Sequence, residues 1–363
     1  MYKAFDQWLL PYLMRRRRPQ VSGVTHVMIA VCDHFEPMHD SDQKGAVERV
    51  AEWQRRFPAL INQFEDADGQ HPRHTFFYPV EQYDRHLLEL LADLCHRTGS
   101  EVEIHLHHEN DNEAGLVAAI EQGKKDLVGH GLLSRNERGE VVYGFIHGNW
   151  ALDNSHPEGK GCGIDQELGI LKRTGCCADF TMPSAPHPTQ TKMVNSIYYG
   201  RDTPLPKSHD RGVLMERGLT GELMGSSNHL LLVQGPLGLN WKRRKWGLMP
   251  RVENADLTGS NPPSGARLQL WRDLGVHVKG KPEWVFIKLH THGGIPQNYE
   301  TLLGEEMRDF HSSIKQAAEA DPMVKFHYVS AREMVNIAHA AEQGEEGEPG
   351  EYRDFCYQKV YCG

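Results

Sequence analysis

The sequence predicts an α/β fold, a distorted (β/α) barrel of about seven strands with an elaborated insertion near residues 200–280. Three observations carry that prediction. Short apolar runs rich in Val, Ile and Phe alternate with longer amphipathic stretches, the signature of βα units. The runs are continuous rather than half polar, as parallel strands buried on both faces are. Several of them end in bursts of His, Asp and Glu, where barrel strands meet their ligands.

The elements follow in order. FDQWLLPYLM precedes Arg15, Arg16, Arg17 and Arg18. A signal peptide carries its positive charge before the apolar run, and this run is too short to span a bilayer. Two readings stand: a helix packed on the domain with a solvated basic end, or a peripheral membrane contact through Trp8, Leu9, Leu10 and the arginines. THVMIAVCDHFEP (25–37) is a buried strand leading into a polar loop. GAVERVAEWQRRFPALINQFE spaces Val47, Val50, Trp53, Phe57, Leu60 and Phe64 as a helix does. HTFFYPV (74–80), VEIHLHHE (102–109), VVYGFIHGNW (141–150) and CCADFTMPS (176–184) are further strands. Helices separate them at 81–99, near 113–130 and at 164–174. Gly99 supplies a stop signal for the first of these helices. WVFIKLHTHGG (284–294) restores the strand pattern after the insertion, and helix 299–320, strand VKFHYVS and helix 331–342 close the fold. GEEGEPGE (344–351) predicts a flexible acidic linker before a short tail. The expected divisions are an N-terminal amphipathic helix (1–20), one barrel domain (21–342) and the linker with its tail (343–363).

Composition narrows the function. Of 363 residues, 40 are Lys or Arg and 49 Asp or Glu, a net charge of -9, which disfavours a general nucleic-acid binder. The 22 histidines favour metal or proton chemistry. Seven cysteines lack a C-x-x-C pair and predict reduced thiols. With no export signal or membrane span, the expected location is cytoplasmic, with the membrane-peripheral contact as the alternative.

EVEIHLHHEND (101–111) carries the most chemistry. Strand alternation puts Val102, Ile104 and Leu106 on one face and Glu103, His105 and His107 on the other. Asp111 follows His107 by four residues, within reach of the same ion. Three more strands end alike: Asp33-His34-Phe35-Glu36, His147-Gly148-Asn149-Trp150 and His290-Thr291-His292-Gly293. A lone histidine is usually just hydrogen-bonded. Four strand ends carrying imidazole and carboxylate predict one shared site.

The order of these motifs resembles the polysaccharide deacetylase family, carbohydrate esterase family 4, over roughly residues 24–340 with 200–280 unmatched. The resemblance implies that Asp33 is the general base and that His34 replaces the usual ligand Asp. It implies His107 and Asp111 as the other ligands, because Glu103-Ile104 matches the run that leads into the family's motif. The alternative register places His105 and Glu109 there. IKLH (287–290) resembles the last motif, which makes His290 the acid that protonates the leaving group. The family's Arg-x-Pro-Tyr motif is absent. HGNWALDNS stands in its place, which leaves Arg251 or Arg267 to tune the base. His147, Asn149, Trp150 and His292 then border the substrate. Trp150 offers a face for a sugar ring, or else packs in the core. His292 orients His290 or the metal-bound water. Asp153 anchors an imidazole.

The implied cofactor is a divalent metal ion, zinc first, with three protein ligands and an open position. The implied activity is metal-dependent removal of an acyl group from a carbohydrate or related substrate. Two alternatives stand beside it: another metal-dependent C–N or ester hydrolase, and an inactive carbohydrate-binding protein of polysaccharide biosynthesis.

Overall fold

The computed structural model describes residues 2–219 and 221–359. Helix α1 (Phe5–Met14) buries Trp8 and Tyr12, which stand one turn apart, against Ala185, Val194, Leu237 and Leu274. Trp8, one of the offered membrane contacts, is therefore core. Its indole N–H donates to the Lys3 carbonyl at 3.1 Å. Leu10, Leu13 and Met14 remain exposed. Trp8→Ala is expected to cost about 3–5 kcal/mol, read as a lower melting temperature and proteolysis of the N-terminal segment. Among the described residues no helix is long and apolar enough to cross a membrane.

Repeating βα units follow: β1 (Thr25–His34), α2 (Gln43–Ile61), β2 (Thr75–Pro79), α3 (Arg85–Thr98), β3 (Glu101–Leu106), α4 (Glu113–Gly129), β4 (Val141–His147), α5 (Glu167–Arg173) and β5 (Cys176–Asp179). Asp42, Asp84 and Asn112 cap α2, α3 and α4 by accepting from backbone N–H groups in the first turn. The expected insertion supplies strands of the same sheet, β6 (Ile197–Arg201), β7 (Gly212–Leu214) and β8 (His229–Val233), and an external hairpin, Gly238–Lys245 with Met249–Glu253. β9 (Trp284–Thr291) and β10 (Val324–Tyr328) complete the sheet. The expected single helix 299–320 is two, Pro296–Leu302 and α6 (Glu305–Ala320). They break at Gly304, where an added Cβ would lie 2.3 Å from the Glu300 carbonyl oxygen.

The sheet is mostly parallel. From the two-residue strand Asp256–Leu257 it runs β9, β1, β2, β3, β4, β5, β8, β6, β7, with β10 also on β1. Along this path the antiparallel pairings are β8 with β6 and β6 with β7, and off it Ser134–Asn136 pairs antiparallel with β4. Among the described residues no ladder closes the expected barrel. Isolated backbone bonds from segment 276–281 link the two sides, with Lys279 N–H on Met215 O at 2.9 Å and Phe286 N–H on Val276 O at 2.8 Å. Pro282 and the Gly-rich turn before β9 leave that segment irregular.

Alternation along the strands sorts residues to two cores. Val27, Ile29 and Phe35 of the first strand, with Ile104, Phe145 and Leu289, face the outer helices. Met28, Ala30, Cys32, Phe77, Ile146 and Phe286 face inward, onto α7 (Ala331–Gln343). That helix is buried almost throughout and begins at a Ser330–Glu333 capping box. The expected flexible linker is anchored instead. Glu346 pairs with Lys281 at 2.8 Å and Arg217 at 2.6 Å, and Glu348 pairs with Lys325 at 2.6 Å. Composition alone could not locate these distant cations. Tyr357–Lys359 then pairs antiparallel with Ser134–Asn136.

His311 of α6 sets an acid limit on this packing. It is buried against Phe64, Phe310 and Tyr328, and burial pulls its pKa from 6.5 down to about 3. The unfolded chain binds that proton near 6.5, so it takes up more protons than the folded chain between those values. Stability then falls as pH drops through the window, by about 1.4 kcal/mol per unit for one such group. His311→Phe is expected to flatten the acid limb of urea midpoint against pH.

Candidate metal centre

The strand register brings the charged endings level. Cys32 lies opposite His290, and Asp33 opposite Thr291. His105 lies opposite Pro79 on one side and Ile146 on the other. Inward-facing parity then selects His34 from β1, His105 from β3 and His290 from β9. Glu36 lies two residues beyond His34 and returns to the same face.

His34, Glu36 and His105 are all buried, and each offers a donor atom within 4.8 Å of the others. Their hydrogen bonding is incomplete in an informative way. His105 Nδ1 sits 3.0 Å from the Ile146 carbonyl oxygen, which can only accept, so Nδ1 carries the proton. The lone pair on Nε2 then points at Glu36 Oε1, 2.9 Å away. Two acceptors that close require a proton or a cation between them. Both nitrogens of His34 are buried without any hydrogen-bond partner, a deficit of about 1–3 kcal/mol per group when left unmet. The rings of Trp150 and His292 lie against His34, with centroids at 4.8 and 4.6 Å. Burial, then the neighbouring His292 and His105, hold the His34 imidazole well below its ordinary pKa. Neutral imidazole with a free lone pair is the metal-binding form. Two imidazoles and a carboxylate fit a divalent ion of the zinc type.

His107, an expected ligand, touches this cluster from outside. Its Nε2 is 3.1 Å from Glu36 Oε1 and its Nδ1 is 2.6 Å from Glu81 Oε1. Burial disfavours its charge, but the two carboxylates outweigh that and raise its pKa to about 9. Bonded to both carboxylates, it orients Glu36 from outside the cluster. Asp111, the other expected ligand, is elsewhere: its Oδ2 lies 3.2 Å from His108 Nδ1. His34, His107 and Asp111 are therefore not one ligand set.

His108 also reaches Glu167 at 3.1 Å, and His147 approaches the same carboxylate at 4.0 Å. This second cluster looks metal-like by composition. Its hydrogen bonds say otherwise. His147 Nδ1 accepts from the Asn149 backbone N–H at 3.1 Å, so the proton sits on Nε2 and no lone pair faces Glu167. Asn149 spends its amide on the His108 and Gly161 carbonyls. Both residues, expected at the substrate, brace the loop that presents Trp150. Trp150 itself takes φ 61°, uncommon for a bulky residue. Two further groupings, around His26–Glu348 and Asp66–Asp68, share His327 at the opposite end of the sheet. There His327 links Asp68 at 2.8 Å to His26 at 3.0 Å in a satisfied chain.

Asp33, the expected base, faces the helices rather than the cluster. Its Oδ2 bonds His74 Nε2 at 2.8 Å, and its Oδ1 accepts from Gly293 N–H at 2.6 Å. Adjacent strand residues cannot both face inward, and His34 takes the inner side. The Gly293 carbonyl accepts from Trp53 Nε1 at 2.9 Å. A Cβ on Gly293 would sit 2.1 Å from Asp33 Oδ2, so the loop that delivers His292 tolerates only glycine. Gly293→Ala is expected to lower turnover about 10- to 100-fold with bound metal retained, measured by metal content and initial rates together.

His290 faces inward, its Nδ1 buried and unpartnered. Its ring centroid is 6.5 Å from that of His34 and 5.4 Å from Trp150. Burial first, then Lys288 and His292, hold its pKa well below the ordinary value. Arg267 adds a smaller electrostatic lowering at His290 but is hydrogen-bonded elsewhere. It is committed to Glu253 at 2.7 Å and to the Asn261, Pro262 and Asp256 carbonyls. Arg251 lies on the exposed hairpin. Asp153, expected to hold an imidazole, instead accepts from the backbone and hydroxyl of Ser208, and burial raises its pKa to about 7.

Sequence reasoning passed over Glu36 as a ligand, although His34-x-Glu36 has the period of one strand face. It set His105 aside for His107 because of motif register. Glu167 and His74 gave no signal. One is a buried acid at a helix start and the other precedes a strand. A cavity of about 820 Å³ lined by Lys124, Lys172, Arg173 and Tyr357 opens at the starts of β4 and β5, the end away from this cluster.

No family model matches the sequence, and no curated protein matches it. Among solved structures, a "putative polysaccharide deacetylase" from Mycobacterium smegmatis superposes on 92% of this chain and 97% of its own, with 14% identity and a TM-score of 0.46. At that score the likeness carries no argument about the chemistry of this chain.

Proposed function

We propose that this chain is a divalent-metal-dependent hydrolase that removes an N-acyl group from a carbohydrate or related substrate. One observation carries the metal: in one buried cluster His34 has both ring nitrogens without a partner, and His105 Nε2 lies 2.9 Å from Glu36 Oε1. The acyl-sugar substrate rests on the motif resemblance alone. His34, Glu36 and His105 would hold the ion, with zinc favoured by the donor set. When bound, it supplies Lewis acidity and a water acidified to near-neutral pKa.

The remaining residues prepare the site. His107 fixes Glu36 from the solvent side. Trp150 and His292 exclude bulk water from His34, which strengthens every interaction within. His290 rests unprotonated, so it accepts a proton during attack and returns it to the departing amine. Asp33 is a positioning residue in this reading. It holds Gly293, and through it the loop of His292, and its pairing with His74 keeps it in place.

The test combines elemental analysis with acetate release from N-acetylated amino sugars. The expected result is near-stoichiometric zinc, activity lost on chelation and activity restored by zinc. Metal without acetate release would redirect the reading to another C–N or ester bond. Absence of stoichiometric metal after zinc loading would overturn it.

A further inference from the structure

We infer that the hairpin Gly238–Glu253, together with the exposed face of α1, docks on a bilayer surface that carries anionic phospholipids. The inference is independent of the proposed hydrolase activity. Residues 241–251 read WKRRKWGLMPR, five cations and no acid in a chain of net charge -9. Its large side chains are turned to solvent: Trp241 is 56% exposed, Trp246 76%, Leu248 79% and Met249 48%. The apex is a tight turn, with Trp246 at φ 54° and Gly247 at φ 72°, closed by Leu248 N–H on Lys245 O at 3.2 Å. Lys245 lies over the Trp246 ring at 4.4 Å. Among the described residues nothing else packs over these side chains.

The base of the hairpin rests on α1. Leu239 and Val252 pack on the cluster that holds Trp8 and Tyr12, and a Cβ on Gly238 would lie 3.2 Å from Tyr12. That helix exposes Leu10, Leu13 and Met14 at 64%, 64% and 75% and runs into Arg15, Arg16, Arg17 and Arg18. Two adjoining elements thus present cations beside bare leucine and methionine, with bare tryptophan on the hairpin. A hollow of about 380 Å³ against the hairpin, lined by Arg243, Lys245 and Arg251, can take a phosphate headgroup. The two acids at its wall, Glu253 and Asp256, are both held by Arg267.

Charge complementarity selects an anionic surface. The aliphatic side chains select a bilayer over a nucleic acid, because they gain nothing from phosphates but do gain from entering the acyl boundary. Tryptophan favours the headgroup level. Opposite charge on the rest of the molecule orients the hairpin towards the surface.

The test is cosedimentation of the full chain with phosphatidylcholine vesicles and with vesicles that also contain phosphatidylglycerol. Binding is expected only to the second set, with tryptophan fluorescence quenched by brominated acyl chains. Arg244→Glu with Lys245→Glu is expected to lower partitioning at least about 30-fold, since each basic residue near such a surface contributes roughly 5-fold. Trp246→Ser with Leu248→Ser is expected to abolish the quenching while leaving the melting temperature unchanged. The inference is overturned if the unmodified chain ignores anionic vesicles or binds both kinds equally. It is also overturned if both double variants bind as the unmodified chain does, or if the hairpin proves to bind duplex DNA and not vesicles.

Discussion

His105→Ala is expected to remove the bound divalent ion and to lower hydrolysis by more than about 100-fold, since even changes in groups that merely support a ligand cost 10- to 100-fold. The reason is specific to its hydrogen bonds. Its Nδ1 proton is pinned by the Ile146 carbonyl at 3.0 Å, which leaves one lone pair facing Glu36. Alanine takes away that donor and leaves the buried Glu36 carboxylate facing His107 at 3.1 Å and His39 at 3.5 Å. His108→Ala serves as the contrast. It faces Glu167 and Asp111 at 3.1 and 3.2 Å, in a cluster where His147 has no lone pair to contribute. Metal retained in His108→Ala and lost in His105→Ala separates the two clusters. The opposite pattern would move the centre to Glu167.

Arg332→Ala is expected to carry a large cost in stability. Arg332 is buried at the foot of α7. It donates to Glu101 Oε1 at 2.8 Å, to Asp354 at 2.5 Å, and to the Arg353 and Tyr357 carbonyls. Glu101 Oε2 already lacks a partner. Removal of the guanidinium strands a buried carboxylate, a loss of about 3–5 kcal/mol. It also releases the tail that Asn336 helps to hold through the same two carbonyls. Thermal unfolding should shift down by several degrees, with faster amide exchange across 353–359. Arg332→Met combined with Glu101→Leu should recover much of the loss, because no charge is then left buried and alone. A double variant as unstable as Arg332→Ala would show that the tail contacts, not the ion pair, dominate.

The strand order of the first half was legible because each strand there is a continuous apolar run and each helix has a cap or stop. Parity in β3 was legible too: Glu103 and His105 do share the inner side, where Glu103 accepts from Gly144 N–H at 2.6 Å. The same rule applied to Asp33-His34 sends the two to opposite faces, and motif order concealed that. His147 belongs with Phe145 on the helix side for the same reason. The tautomers that separate His105 from His147 depend on one carbonyl and one amide N–H from neighbouring chain segments, and no spacing in the sequence encodes them. The region after β5 blurred because its strands pair out of sequence order, β8 lying between β5 and β6. The acidic stretch near Glu346 and Glu348 looked unstructured because its cations come from three remote elements.

The central claim is that His34, Glu36 and His105 gather one cation. Crystals grown with zinc, with data collected on both sides of the zinc absorption edge, test it most directly. The account predicts a single strong anomalous peak at bonding distance, about 2.0–2.2 Å, from a nitrogen of His34, His105 Nε2 and a Glu36 oxygen. A peak between His108 and Glu167, or no peak within reach of His34, would contradict it.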